Sequence, residues 1–439
     1  VIKLLVITTL YPNQNQFRHG IFVENRVKSL VASGKTEALV MAPVPWVPAV
    51  FIWLLTAFSL TKKLAESLPL AEYKLYQSIP TEEYRFGIRV LHPRYLVIPK
   101  IGMYITPLLL ALSLVRAVGR LRRSGEHWDL IDSHYFYPDG VAVALVASWL
   151  KLPFTVTARG SDINLISDYW PARKMMLWAA SKSAKNLCVS AELKRKMTSL
   201  GMAADKIVTV TNGVDETVFV AKSEAQRAAL NQQLPGSSYR LAAVGNLIEL
   251  KGQHLLIEAV TSLPEVTLLI VGEGEARDSL EAQVRAAGLQ QRVYFLGNLA
   301  QAELVDIYNG VDLVCLASSR EGCANVLLEA IACGTPVLAT DVGGNAETVN
   351  SDELGRLVSE RSAAALCRSI RLMQHLSFDR QRIRTLSQRF WYSAINATLL
   401  QVYQSVIDSH RTSQELDHVA QLSTQRSNQS SKKIGASQK

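Results

Sequence analysis

The sequence predicts an α/β fold in which two Rossmann-like, doubly wound domains face each other across a cleft. Three observations predict it. The chain has 439 residues, more than one ordinary core organises. Short β-branched runs alternate with longer helical patterns in both halves, which is the pattern of βαβ units and parallel sheets. Between the halves lies VFVAKSEAQRAALNQQLPGSS, polar and without strand character, which places a junction at 215–238 between domains at 1–214 and 239–386. A hydrophobic content of 48% with 19% charged residues can fill two large cores and excludes a globally disordered chain.

In the first half the expected strands are KLLVITT, EALVMAP, DLIDSH, FTVTAR, NLCVS and KIVTVT, and in the second LAAVGN, VTLLIVG, VYFLG, LVCLAS and PVLAT. Doubly wound sheets bind ligands beyond the carboxyl ends of their strands, so two facing domains make one cleft. A last helical pattern, SQRFWYSAINATLLQVYQSVI, occupies 387–410 and is expected to pack back toward the first domain. From 411 to 439 the chain turns to Ser, Gln, Asn and Lys and reads as a disordered tail.

VIKLLVITTL at the start is apolar, but it runs into Tyr11, Pro12 and Asn13 and reads as a first strand rather than a leader. Cys188, Cys315, Cys323, Cys333 and Cys367 form neither a CxxC pair nor a Cys/His cluster, so a reducing, cytoplasmic setting without a disulfide framework or metal site is expected. The net charge of +9 is unevenly spread. Arg85, Arg89, Arg94, Lys100, Arg116, Arg120, Arg122 and Arg123 occur with no intervening Asp or Glu, within an apolar segment at about 44–123. IGMYITPLLLALSLVRAVG is near spanning length, yet Pro107 and the trailing arginines favour a helix lying on a surface, and VPAVFIWLLTAFSL is too short to span. Two readings stand: core helices with solvated arginines, or a face for anionic lipid headgroups. No aromatic-interleaved basic motif or nucleic-acid module is present, so nucleic acid is not an expected partner.

The segment ASSREGCANVLLEAIACGTPVLATDVGG, residues 317–344, is the most informative. A buried strand ends in polar residues, Glu321 and Gly322 form a turn, and Asn325 begins a helix that Gly334 and Pro336 stop. A strand, a glycine turn and a helix start present free N–H groups suited to a pyrophosphate. Glu321 and Glu329 can accept hydrogen bonds from sugar hydroxyls, although a cap glutamate beside a surface glutamate would have the same spacing.

With EAIACGTPVLATDVGG behind it, this pair of glutamates resembles the signature of family 4 retaining glycosyltransferases of the GT-B fold. The resemblance implies that Glu321 contacts the donor sugar and Glu329 the nucleotide ribose. AAVGNLIELKG resembles the family's opening strand of the second domain, so Lys251 is implied to clamp the donor phosphates; the usual arginine is replaced by Asn246, which can still donate a hydrogen bond. VTVTNGVDETVF, LLIVGEGEARDSLEAQV and VYFLGNL match the interdomain segment, the next βα unit and the strand near the nucleobase. In FRHGIFVENRV, Gly20 falls at the family's glycine loop beside the donor phosphates. DLIDSHYFYPDG nominates His134 as the histidine against the transferred sugar, and without the family it would read as a strand-end cap. TARGSDIN carries Arg159 where a histidine is more usual; Arg159 can face an anionic sugar or a lipid pyrophosphate, or pair with Asp162.

The resemblance, which extends to bacterial polysaccharide enzymes such as those of teichuronic acid synthesis, implies a hexosyltransferase using a UDP- or GDP-sugar. It implies a lipid-linked or glycan acceptor at the inner face of a membrane, with the enzyme peripheral there. No Asp-x-Asp motif is present, so no cofactor or divalent cation is expected to be obligatory. No carboxylate is placed as a covalent nucleophile, and front-face substitution with retention is expected, resting on positioning and on stabilising the leaving diphosphate. The alternatives are a nucleotide-sugar epimerase and a non-catalytic membrane-docking scaffold. A NAD-dependent oxidoreductase is disfavoured because GEGEAR offers Arg277 where a dinucleotide fingerprint needs Gly or Ala.

Overall fold

The computed structural model describes residues 1–47, 75–97, 102–236 and 239–436, with the side chains of 103 and 417–436 excepted. The apolar run at 48–60 and Lys100 lie outside the described residues. Two α/β domains are present. The first contains β1 (Ile2–Ile7), β2 (Thr36–Met41), β3 (Val44–Trp46), β4 (Glu82–Arg85), β5 (Ile88–Leu91), β6 (Arg94–Leu96), β7 (Leu130–His134), β8 (Phe154–Ala158), β9 (Lys185–Cys188) and β10 (Ile207–Thr209). Its main sheet runs β10-β9-β8-β7-β1-β2-β5-β4, parallel throughout except that β4 returns antiparallel to β5. The second contains β11 (Tyr239–Val244), β12 (Val266–Val271), β13 (Val293–Gly297), β14 (Leu313–Leu316), β15 (Val337–Thr340) and β16 (Gly355–Val358), in the order β13-β12-β11-β14-β15-β16.

Central strands of a parallel sheet covered by helices are buried on both faces. Every residue of β7, β8 and β12 is buried. Each sheet therefore carries two apolar layers, one per face. In both sheets the chain reverses its direction of travel at one place, between β1 and β7 and between β11 and β14. Crevices that bind ligands open at such switch points, beyond the strands' carboxyl ends.

The two crossings between domains lie side by side. Val214 N–H donates to the Phe390 carbonyl at 2.8 Å, and Tyr392 N–H donates to the Val214 carbonyl at 3.0 Å. The helix Tyr392–Ala436 then returns to the first domain, where Ile395, Leu399, Tyr403, Val406 and Ile407 join the core shared with Val6, Val27 and Leu130. Beyond 411, where composition leads to the expectation of a disordered tail, this helix continues to Ala436. No proline interrupts the segment, and its Gln, Lys, Glu and Ala residues are all compatible with a helix.

The helix Gly102–Arg123 is long and apolar enough to cross a membrane, but one face of it is core. Its Leu110, Leu114, Val118 and Leu121 pack into the core, while its Tyr104, Leu108 and Leu112 are exposed. Part of the basic run is also neutralised from a distance in sequence. Arg85 pairs with Glu24, and Arg89 pairs with Glu82 and Glu126.

Candidate functional site

At the second domain's switch point the chain leaves β11 through Gly245 and Asn246 and makes a single 3-10 turn, Glu249–Lys251. Gly252 follows with φ 72°, and a Cβ there would sit 2.1 Å from the Ala317 carbonyl oxygen, so only glycine lets this turn lie against the end of β14. Lys251 is thereby carried to Glu321: Nζ is 2.6 Å from Oε1. Ser318 Oγ donates to the same oxygen at 2.6 Å. The pair is partly buried, which holds a cation and a carboxylate together at the mouth of the crevice. Asn246 is exposed, and its carbonyl accepts from Gln253 at 3.1 Å.

Asn325 opens the helix Asn325–Ala332, whose start has no side-chain cap. Glu329, in the second turn, accepts a hydrogen bond from Tyr308 Oη at 2.7 Å, and burial pushes its carboxyl above the usual range. It faces a cavity of about 340 Å³ closed by Asn25 and Lys28 of the first domain, by Asp215 and Thr217 of the crossing, and by Tyr392 and Asn396 of the last helix.

Opposite, the first domain's switch point is shaped by Gly20, with φ 67°. A Cβ there would fall 2.3 Å from the Leu10 carbonyl carbon and oxygen, so the loop folds tightly onto the end of β1. Gly20 leads into the helix Ile21–Ala32 without any side-chain cap. The walls meet closely. The position of a Cβ on Gly322 is 2.7 Å from the Arg159 carbonyl oxygen, Asn212 Nδ2 donates to Asn325 Oδ1 at 2.9 Å, and Glu347 accepts the Ala191 N–H at 2.6 Å.

Comparison with known proteins agrees with this arrangement. Residues 226–389 match the model of glycosyl transferases group 1, and residues 70–218 match the model of glycosyltransferase family 4. A glycosyltransferase of Bacillus subtilis (strain 168), TuaC, named for teichuronic acid biosynthesis, is 26% identical over 429 residues, 97% of this chain and 100% of that protein. The D-inositol 3-phosphate glycosyltransferase of Corynebacterium urealyticum is 31% identical, across 60% of this chain and 66% of that protein. Among solved structures, Anabaena HepE in complex with UDP superposes with a TM-score of 0.67 at 20% identity, over 92% of this chain and all of that one. Sucrose-phosphate synthase from Thermosynechococcus elongatus superposes with a TM-score of 0.69 at 18% identity, over 93% of this chain and all of that one. The chain belongs to the GT-B glycosyltransferases of family 4.

Within this glycosyltransferase the structure sets His134, expected against the transferred sugar, inside the first domain. Its ring is wholly buried at the end of β7. Arg159 Nη2 donates to its Nδ1 at 2.7 Å, so the ring proton sits on Nε2, 3.2 Å from Asp132 Oδ2. With its ring wholly buried, His134 has no surface in the cleft and touches its wall only through Arg159. Burial, reinforced by the Arg159 charge, outweighs Asp132 and pushes the imidazole down to about 4, which makes it a neutral acceptor for the guanidinium. Asp132 itself is fully buried, which would raise its carboxyl, but His134, Tyr403 at 2.7 Å and Thr155 at 2.8 Å hold it at about 2.

Arg159 is the group this chain of contacts presents. It does not pair with Asp162, the alternative its sequence neighbours offered, because Asp162 is occupied by the N–H groups of Phe136, Arg159 and Gly160 at 3.0, 3.1 and 2.9 Å. Its Nη1 donates to Asn212 Oδ1 at 2.9 Å, and its guanidinium carbon lies 5.0 Å from the centre of the Phe22 ring. Two site residues were not found by reading the sequence. Asp139 Oδ2 accepts from Thr9 N at 2.7 Å and Thr9 Oγ1 at 3.0 Å, holding the loop after β1, and burial pushes its carboxyl up to about 7. Arg26 is 1% exposed beneath the cleft. The only available signal was a charged residue inside an otherwise apolar stretch, FVENRV for Arg26 and the end of YFYPDG for Asp139.

Proposed function

We propose that this chain is a retaining hexosyltransferase that moves a sugar from a UDP- or GDP-sugar to a lipid-linked or polysaccharide acceptor, working peripherally at the inner face of a membrane. The observation that carries the reading is the meeting of Lys251 and Glu321 at 2.6 Å on one switch point, with Glu329 one helix away in a cavity closed by the other domain. Lys251 and the uncapped N–H groups before Asn325 supply positive potential for a leaving diphosphate. Glu321 and Glu329 have oxygens to accept sugar and ribose hydroxyls. The carboxylates of the opposite wall are committed elsewhere: Asp132 to His134 and Tyr403, Asp139 to Thr9, and Asp162 to three backbone N–H groups. That leaves front-face substitution, in which the departing phosphate oxygen takes the acceptor's proton and the anomeric configuration is kept. TuaC and the UDP complex of HepE support an envelope glycan and a uridine donor respectively.

The test is donor binding and slow hydrolysis across UDP-, GDP- and ADP-sugars, with the wild type beside Glu329→Ala. One nucleotide-sugar is expected to bind and be consumed, and the variant to lose about tenfold or more in affinity, since a buried carboxylate accepting from a ribose contributes about 1.5–3 kcal/mol. Failure of every nucleotide-sugar to bind the wild type would sink the reading.

A further inference from the structure

Below the cleft lie two guanidinium groups, Arg26 wholly buried and Arg159 partly so. Arg26 donates through Nη2 to the Thr211 and Val210 carbonyls at 3.1 and 3.5 Å, and its Nη1 has no hydrogen-bond partner. The Nε of Arg159 is likewise buried and unpartnered. Among the described residues neither arginine forms an ion pair. Burial, and after it the charge of Arg26, push the Arg159 guanidinium well below its ordinary range, so the two like charges act on each other directly. Native proteins rarely leave a buried cation with spare N–H groups and no anion. The place matters too. Phe22, which lies against Arg159, belongs to the first turn of the helix Ile21–Ala32, whose start has no side-chain cap. Arg159 also touches the turn after Glu321 through Gly322 and, through Asn212, the residue that opens the Glu329 helix. On the other wall, position 246 is an asparagine, leaving Lys251 as the cation there, already engaged by Glu321.

The geometry points to an anion subsite on the first domain's wall. Arg159, backed by Arg26 and flanked by the start of the Ile21–Ala32 helix, receives a phosphate or carboxylate oxygen of the nucleoside-diphosphate sugar, opposite Lys251. This rests on the donor reading above. The anion offsets the repulsion between the two arginines, and it restores across the cleft the charge that Asn246 does not provide. Two parts of a donor carry the required chemistry: the diphosphate, and an acidic group on the transferred sugar.

Isothermal titration distinguishes them, using UDP, UDP-glucose and UDP-glucuronic acid, or GDP, GDP-mannose and GDP-mannuronic acid if the wild type binds guanosine. If Arg159→Gln weakens all three ligands about tenfold and Arg159→Lys recovers part of the loss, the diphosphate is the anion. If the loss is confined to the uronic acid donor, the sugar carboxylate is. If Arg159→Gln binds all three within about twofold of the wild type, the subsite does not exist. Glu329→Ala runs in parallel, so that failure of the donor reading is seen separately. Should Arg159→Gln fail to fold, or the wild type bind no nucleotide, the Lys251→Ala protein decides. Inorganic pyrophosphate or glucuronate, with ionic strength matched by sodium chloride, is expected to raise its unfolding temperature by about 2 °C or more; no rise with either anion overturns the subsite.

Discussion

A methyl group on residue 343 would lie 1.8 Å from the carbonyl oxygen of Glu321, and Gly343 has φ 58°. Gly343→Ala is therefore expected to displace the turn that brings Glu321 to Lys251. The left-handed backbone alone costs about 1 kcal/mol for alanine, and the clash adds to it. Donor hydrolysis should fall about tenfold or more, with a lower urea midpoint; a variant with wild-type rates would show that the turn tolerates being moved. Two buried groups on the other wall set opposite pH dependences. His134 has its pKa lowered from 6.5 to about 4, so between those values the unfolded chain binds more protons, and stability falls as the pH drops. Asp139 is raised from 3.8 to about 7, so in that window the folded chain binds more protons, and stability grows as the pH drops. Each contributes a slope of at most about 1.4 kcal/mol per pH unit, and they oppose each other. The two groups are separated by urea unfolding of variants beside the wild type between pH 6.5 and 4.5, read as differences from the wild-type curve. His134→Gln, whose amide can still meet Arg159 and Asp132, should become more stable on acidification, and Asp139→Asn less stable. Parallel curves for all three proteins would refute the assignment of either group.

Which elements can be read from sequence depends on how they are buried. β12, β14 and β15 are buried along their whole length and stand out as apolar runs, while β7 and β8, equally buried, carry Asp132, Ser133, His134 and two threonines and show through their β-branched and short-run character. β4 and β5 do not, because EEYR and IRVL alternate with charged residues. Their arginines merged with those after Arg94 into one basic segment, and no spacing reveals that Glu24, Glu82 and Glu126 neutralise Arg85 and Arg89. The site divides in the same way. Glu321, Asn325 and Glu329 sit in one continuous strand-turn-helix and are legible together, whereas Lys251 is nominated only by the resemblance of AAVGNLIELKG. The contact of Arg159 with His134 joins residues 25 apart, and that of Asp132 with Tyr403 joins residues 271 apart, so only the fold brings them together. The last helix gives this a consequence. Tyr403 bonds to Asp132, Asp132 holds His134, and His134 holds Arg159, so a residue far along the chain helps to fix a guanidinium in the cleft. Tyr403→Phe keeps the packing and removes a hydrogen bond to a buried carboxylate, which should cost about 1.5–3 kcal/mol. If the chain of contacts positions Arg159, the pH dependence of donor affinity shifts along with stability; a loss of stability alone would confine Tyr403 to holding the helix.

At the scale of the molecule, one face of the first domain carries groups that would suit the anionic membrane surface proposed for it. The helices Gly102–Arg123, Val141–Leu150 and Trp170–Lys182 pack into the same core on one side of the sheet. What they leave outside is Tyr104, Leu108, Leu112, Trp149, Trp170 and Trp178 among Arg116, Arg120, Arg122, Arg123, Lys174 and Lys182, with no acidic residue in any of the three helices. On the first helix, positions 104, 108, 112, 116 and 120 follow one slowly winding stripe, apolar toward its start and basic toward its end. Aromatic rings with a polar tip and long basic side chains are the groups that settle at a headgroup boundary. With the other face of this helix in the core, the domain would lie on a bilayer while the cleft between the domains stays in water. Each basic residue near such a surface contributes about 1 kcal/mol, so changing Arg116, Arg120 and Arg123 together to Glu should weaken binding to vesicles containing phosphatidylglycerol at least a hundredfold, or about 3 kcal/mol. Donor hydrolysis in the absence of vesicles should be unchanged. Leu108→Ser with Leu112→Ser should act differently, leaving capture at low salt but abolishing what remains at high salt, because the apolar contribution is not screened. Cosedimentation decides it. Equal binding to neutral and anionic vesicles, or a triple variant that sediments like the wild type, would remove the membrane from the account and leave these arginines as solvated surface.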